Sequence, residues 1–497
     1  MSAPLMSPEA QAAVTRMNRL AYELSEREKL VKQRLNYYRG SHPLKYASPE
    51  FQNYFGARFK GFSDNWCAPV ISSPAERMNP LGVRLDDEER GVDKDLERAW
   101  RANDGARGVS EAIVIALATG RAFATVWGNS DDEATVTWER PDQAVIEYGD
   151  YGQRVAGLRL WRDDRYEYAT LDTGDFLWKF QRSAISRDGR LHSGLVLPAT
   201  ALGGWEPREV RAEPWPLPNP LSVVSMVELA NHTLLDPDNP ISDIDGTIAM
   251  QDAINLVWAY LMNALDYASL PQRVVTGAEI PKIPVLDENG QIKGHRPLEL
   301  DTLIRERILW IPGQNAKIAE WSAASLDVFS AVIERAVEHI AAQTRTPPHY
   351  LIGRVANLSA EALTAAETGL VAKTRERLTY LAPGVREVYR LIALAQFDQE
   401  KARAVQSGTV VWEDIQFRAL GQKVDALLKL SQMGFPFEWI AEQYGLEPLE
   451  VERVVRMREA EQQRAAELDP VGDIARSLNA GPPAADQAQL EPANVGA

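Results

Sequence analysis

Residues Thr346 to Gln396 read TPPHYLIGRVANLSAEALTAAETGLVAKTRERLTYLAPGVREVYRLIALAQ, and their reading decides the fold. Pro347-Pro348 stop any helix arriving from the N-terminal side, because each proline lacks an N–H and restricts the residue before it. Gly353-Arg354-Val355-Ala356-Asn357 follow as a short, glycine-led loop. Helix formers then run from Ser359 to Leu381, are interrupted at Pro383-Gly384, and resume to about Gln396. The chain specifies a break, a loop, a long helix, a kink and more helix. A loop at the head of a rigid rod is a mechanical arrangement more than a catalytic one.

Two long amphipathic helices lead into this element. In the first, Ser242 to Leu270, the residues Ile254, Val257, Leu261 and Leu265 form one stripe, Asp243 or Asp245 can cap, and Pro271 stops the helix. In the second, Ser325 to about Gln343, Leu326, Phe329, Ile333, Val337 and Ile340 share a face. Between them, residues 272–318 read as short strands and turns, punctuated by Pro281, Pro284, Gly290, Gly294, Pro297, Pro312 and Gly313.

Further upstream, Ser7-Pro8-Glu9 starts a helix that runs to about Tyr38, with Gly40 as its stop. Ser48-Pro49-Glu50 starts a short aromatic one, and Asp64 caps a third over NWCAPVISSPAERM. Val92–Asn103 and Gly108–Thr119 are two more, the latter ended by Gly120. The period then changes to two. Segments 123–127, 134–138, 145–148, 155–161, 166–171 and 175–180, separated by turn residues, predict an antiparallel meander. Residues 183–220, rich in Gly, Pro and Trp, read as an irregular excursion. Downstream of the rod, Val410-Val411-Trp412 is a strand. Helices follow over 419–433, 437–444 and from Pro448 to about Glu467, the first two stopped by Gly434 and Gly445. The last thirty residues have too few large apolar side chains to offset the entropy of ordering them, and predict a flexible tail.

The bulk composition is that of a folded soluble protein: 497 residues, 45% hydrophobic and 25% charged. A net charge of −16 and a pI near 5.1 argue against a surface that grips nucleic acid, since such grip comes from Lys and Arg displacing counterions. They leave room for a protein that DNA slides past. Cys67 is the only cysteine, which excludes an intrachain disulfide and a thiolate metal cluster. The N-terminus has no basic-then-apolar leader, and no apolar run reaches the ~18 residues a membrane span needs.

Catalytic signatures are weak throughout. No G-x-x-x-x-G-K-[ST] occurs; Gly369 to Lys373-Thr374 approaches it but falls mid-helix, where backbone N–H groups are already used. The six histidines never pair at metal-ligand spacing. Asp236, Asp238, Asp243, Asp245 and Gly246 suggest a calcium loop, yet the pattern places Ile241 and Asp252 at its first and last ligand positions, so capping and turn formation is the better reading. Cys67, beside Trp66 and Pro69, reads as buried and structural. Residues 437–458 imitate a helix-turn-helix, but Glu447, Glu450 and Glu452 occupy the turns that would read bases. Arg354 and Asn357 are the most interesting polar pair: either an ordinary surface loop with a cap, or a mobile loop shown to a partner. No metal, cofactor or catalytic residue is assigned.

Several stretches together resemble one family. They are Leu35 to Gly40, Asn65-Trp66-Cys67 with Ala75-Glu76-Arg77, Asn219-Pro220-Leu221, Asp252 to Asn255, Leu270 to Arg273, Asn357 to Ala362, Lys373-Thr374-Arg375 and Trp412-Glu413-Asp414. In this order they resemble the portal (head-to-tail connector) proteins of tailed double-stranded DNA phages, in the branch found in siphophages of actinobacteria. The resemblance implies an α+β fold of named parts. These are an α/β wing (1–241), a stem helix (242–271), a clip (272–324) and a second stem helix (325–345). A tunnel loop with a long kinked helix (346–418), a helical crown (419–467) and a tail (468–497) complete it. It implies a ring of twelve copies at one capsid vertex, assembled in the host cytoplasm and without enzymatic activity of its own. DNA passes through without sequence specificity. The terminase large subunit, a head-completion adaptor, and the major capsid and scaffolding proteins are the implied partners, and no membrane is. Gly353 to Asn357 would be the loop that faces DNA, with Arg354 and Asn357 at the narrowest point and Ser359 as its anchor, and Pro383-Gly384 the bend. The rival readings are another virion protein, such as a minor head or adaptor protein, and a metal-dependent nuclease using Asp243 and Asp245.

Overall fold

The structure, a computed structural model, describes residues 7–41, 44–58, 62–85, 92–128, 133–183, 205–269, 273–277, 282–286, 291–297, 308–311, 315, 317–320, 326–352, 360–416, 420–446 and 448–467. It is a mixed helix-and-sheet fold. Helix α1 (Pro8–Tyr38) begins at Ser7, whose hydroxyl accepts from Ala10 N. Ala10, Ala13, Met17, Leu20 and Leu24 recur at helical spacing on its buried face. That face packs on a sheet built from β4 (Ala144–Tyr148), β5 (Arg154–Arg162), β6 (Tyr166–Asp172) and β7 (Phe176–Ser183), through Leu158, Leu160, Ala169, Leu171 and Phe180. The short strands β8 (Glu206–Pro207) and β9 (Leu217–Pro218) complete this sheet against β7.

The expected single meander is in fact two sheets. β2 (Arg121–Gly128) and β3 (Ala134–Glu139) leave the path of the others and pair with β10 (Met226–Ala230), in the antiparallel order β10-β2-β3. β10 closes a loop of about a hundred residues, so no local signal marks its partner. Within 183–220, residues 184–204 lie outside the described ones. The rest is anchored by Trp215, whose indole N–H donates to Lys179 O at 2.8 Å and whose ring packs edge-on against Trp178 and Phe180.

The main core lies beyond that small sheet. Into it pack α3 (Cys67–Ala75), α4 (Lys94–Ala102), α5 (Gly105–Thr119), α6 (Ile248–Ser269), α7 (Asp327–Thr344), α8 (Pro348–Ile352), α9 (Ala360–Ala395) and α10 (Gln399–Ser407). α10, capped by Asp398, was not anticipated from the sequence. Strand β1 (Pro80–Arg84) pairs with β16 (Thr409–Trp412), bringing the two ends of this layer together. Between α6 and α7 lie β11 (Arg273–Thr276), β12 (Lys282–Leu286), β13 (Ile292–Pro297), β14 (Ile308–Ile311) and β15 (Lys317–Glu320), the short strands expected there. They form a hairpin, β12-β13, and a sheet in the order β14-β11-β15. Helices α11 (Leu420–Gln432), α12 (Phe437–Tyr444) and α13 (Pro448–Glu467) end the described chain, and the predicted tail lies outside it. Among the described residues no helix is long and apolar enough to cross a membrane.

Three local expectations are corrected. Asp64 does not cap α3, whose first N–H groups, Cys67 N and Ala68 N, donate to Asn65 Oδ1 at 3.0 and 3.4 Å; the Asp64 carboxylate accepts from the indole N–H groups of Trp66 (3.0 Å) and Trp258 (2.6 Å). Asp243 and Asp245 do not cap α6 either, because the helix begins after them at Ile248 and both are drawn into ion pairs. The rod is not interrupted at Pro383-Gly384: α9 is one element of 36 residues with Pro383 inside. A mid-helix proline costs about 3 kcal/mol. Here the turns on either side bury Leu381, Val385, Val388 and Tyr389 completely, and that burial offsets the cost. Gly384 has a different use, since a Cβ there would lie 2.7 Å from Glu228 O; its absence lets the rod lie directly on β10.

Candidate functional site

The predicted loop, Gly353 to Asn357, lies outside the described residues, as does Ser359. Its mounting is described on both sides. Arg345 ends α7 in the left-handed conformation (φ 55°), Thr346 is buried, and Pro348 opens α8 where a proline's missing N–H costs nothing. α8 is held by buried Leu351 and by Tyr350, whose hydroxyl accepts from Arg77 Nη2 at 2.6 Å. On the far side of the loop, Glu367 of α9 lies 3.4 Å from Arg77 Nη1 and takes a hydrogen bond from the Tyr350 hydroxyl, also at 3.4 Å. Arg77 additionally donates to Ile415 O at 3.1 Å. One arginine, 5% exposed, thus ties together the two segments between which the loop is strung. A fork of five donors suits this better than an ammonium.

A second buried knot fixes the rod to the turn before α6. Asp243 meets Arg377 Nε at 2.9 Å and Lys373 Nζ at 3.1 Å, and accepts from Asn231 Nδ2 at 3.0 Å. Burial pushes this carboxyl up, but the charges of Lys373 and Arg377 outweigh it and hold it below its ordinary value. Burial pulls Lys373 below its own ordinary value against the pull of Asp243. Asp245 is held by Arg34 through two contacts of 2.9 and 2.6 Å, and Arg34 also donates to Thr119 O at 2.6 Å. Both carboxylates are committed to cations of this chain, so the geometry gives no support to a metal-dependent nuclease built on them. Among the described residues, no cluster of three metal-ligating side chains occurs.

A third junction gathers stretches that are far apart in the sequence. Tyr37 Oη donates to Asp252 Oδ1 at 2.7 Å, and Lys45 lies 3.3 Å from the same carboxylate. Asn65 Nδ2 donates to Tyr38 O at 2.7 Å, and Gln251 Oε1 accepts from Trp66 N at 2.7 Å. Cys67 Sγ sits 3.8 Å from Thr247 Oγ1, fully buried, and burial pushes its thiol up to about 12. This is the structural cysteine the sequence predicts. Of the acids in the helix-turn-helix imitation, Glu452 lies 3.7 Å from Lys94, Glu450 is exposed and Glu447 lies outside the described residues; Glu442, on the preceding helix, lies 3.6 Å from Arg84.

Buried charges thus fix the rod and the segments on either side of residues 353–359. Arg77 and Glu367 escaped the sequence reading as a pair because 290 residues separate them. Only the Ala75-Glu76-Arg77 stretch marked the arginine at all.

The family described as Phage portal protein, SPP1 Gp6-like matches residues 18–466. The chain belongs to that portal protein family. The portal protein of Mycobacterium phage L5 is 28% identical over 374 residues, covering 72% of this chain and 70% of that one. The portal protein of Mycobacterium phage D29 is 27% identical over 365 residues, with the same coverage. Among solved structures, a chain from the neck of a native GTA particle computed with C12 symmetry is similar over 84% of this chain and 99% of that one, at 15% identity and a TM-score of 0.41. A chain from the neck of an empty GTA particle computed with C6 symmetry covers 82% and 96%, at 15% identity and TM-score 0.41. As a portal family member the chain is a structural component of a tailed-phage virion and not an enzyme.

Proposed function

We propose that copies of this portal chain close head to tail into a ring of twelve at one capsid vertex, through which double-stranded DNA is packaged and later ejected. The family match across residues 18–466 is the observation that carries this reading. The wing corresponds to residues 1–241, the stem to α6 and α7, the clip to the strands between them, and the crown to α11–α13. The loop at 353–357 narrows the channel, with Arg354 and Asn357 toward DNA. α9 is the shelf that joins the loop to the wing, with any bend centred on Pro383-Gly384. The clamp through Arg77 supports this assignment, because a loop meant to bear on DNA needs fixed ends. A net charge of −16 suits a channel in which DNA slides without sticking. The terminase large subunit, a head-completion adaptor and the capsid and scaffolding proteins dock on the outside of such a ring. Negative-stain imaging of the purified chain tests the reading. Rings with a central hole are expected; particles that stay monomeric at every salt and protein concentration would overturn it.

A further inference from the structure

Strand β10 leads to a knob at one end and a cleft at the other, and among the described residues nothing fills the cleft or covers the knob. Just beyond its C-terminal end the chain turns through Leu234 (φ 50°) and Leu235 (φ 66°), which are 64% and 100% exposed. Asp236 N donates to Thr233 O at 2.8 Å, so the leucines are the two central residues of a tight turn with both φ positive. Asparagine and glycine favour that turn; leucine does not. The base of the turn is rigid. Asn231, 0% exposed, donates to Ile241 O, and Arg121 donates to the carbonyls of Pro237 and Asp238 at 3.0 and 2.6 Å. Two adjacent large apolar side chains are thus displayed to solvent on a strained backbone, a combination that folding of the monomer does not require.

At the other end of β10, Met226 lines a cleft of about 270 Å³ between the two sheets of this half, with Trp127, Trp161 and Leu217 among its apolar walls. Arg208 stands at its side, its guanidinium 5.1 Å from the ring centres of Trp161 and Tyr168. Its Nε is buried with no hydrogen-bond partner among the described residues. The cations Arg159 and Lys179 nearby already pair with Glu139 and Glu213; Arg208 feels the charge of Glu213 as well but makes no ion pair among the described residues, so it can answer an incoming carboxylate. The five residues of β10 span roughly 17 Å between cleft and knob, with Asn231 to Thr233 leading from the strand to the turn.

We propose that Leu234 and Leu235 of one copy seat in this cleft on the next copy, a heterologous contact repeated around the ring. It rests on the ring reading given above. The charges match, since Asp236 and Asp238 flank the knob and Arg208 flanks the cleft. A knob and a cleft on opposite ends of one strand make the contact heterologous, head to tail, the kind of contact a closed ring is built from.

The test uses the full chain and a double variant, Leu234→Asn with Leu235→Gly, which installs the residues the turn prefers. The expected result is a chain with the parent's far-UV circular dichroism and cooperative unfolding, with sedimentation shifted from ring to monomer. A variant that folds and still forms rings overturns the contact but leaves the ring reading standing. A parent that never assembles overturns both. A second pair, Leu235→Cys with Leu217→Cys, reads the contact directly, because Cys67 is buried and silent. Oxidation should yield a ladder of disulfide-linked multimers that neither single variant yields; no ladder from assembled rings overturns the proposal. Loss of assembly on truncation after Glu467, with assembly intact in the double variant, would give the cleft to the C-terminal tail instead.

Discussion

Arg77 shows how much one side chain does here. Its guanidinium serves Tyr350, Glu367 and Ile415 O, three points brought together from distant parts of the chain. Arg77→Met keeps the bulk and leaves a buried carboxylate uncompensated, so unfolding free energy should drop by about 3 kcal/mol. Tyr350→Phe removes one hydrogen bond and should cost about 1 kcal/mol. Urea denaturation of both variants checks the ordering, and equal losses would refute the idea that the charge matters more than the hydroxyl. Cys67 makes the opposite point, that a lone reactive residue type can be inert. With no exposed surface and a thiol raised to about 12, chiefly by burial, it should resist a thiol reagent at pH 8 until the chain is unfolded. Rapid labelling of the folded protein would contradict that assignment.

At the scale of elements, the knot between α9 and the turn before α6 has a defined pH behaviour. The Asp243 carboxyl is held below its ordinary value in the folded state. A carboxylate with a depressed folded pKa contributes stability above its unfolded value of ~3.9, and that contribution is lost as pH falls through the folded value. Asp243→Asn should therefore be less stable than the parent by about 3 kcal/mol at pH 7, where Lys373 and Arg377 are left buried without their partner. The gap should narrow below about pH 4. A gap that is the same at pH 7 and pH 3 would show that the knot is not ionic. α9 itself illustrates an element whose extent the sequence understated. Pro383 argued for an interruption, but fully buried residues on both flanks and the close approach of Gly384 to Glu228 O carry the helix through.

For the whole molecule, the proposed ring and its proposed loop predict an effect on the passage of DNA. If Arg354 touches DNA at the narrowest point, Arg354→Ala should lower packaging or retention of the genome while leaving ring formation unchanged. Particles filled and sealed like the parent's would sink the direct-contact version. The sequence by itself determined the long helices, because their apolar stripes, prolines and caps are local signals read within a few turns. It also determined the strand segments between residues 121 and 183, through their period of two, but not β1 or β10. Tertiary structure alone decided which strands share a sheet: β2 and β3 pair with β10, across about a hundred residues of chain, and not with the strands that follow them. It alone decided that Asp243 and Asp245 are ion-pair partners and not caps, and that Arg77 meets Glu367. The physical reason is the same in each case. Propensity and periodicity act between near neighbours, whereas a buried charge or an unpaired strand edge is satisfied by whatever the fold brings within about 3 Å, however far away in the chain.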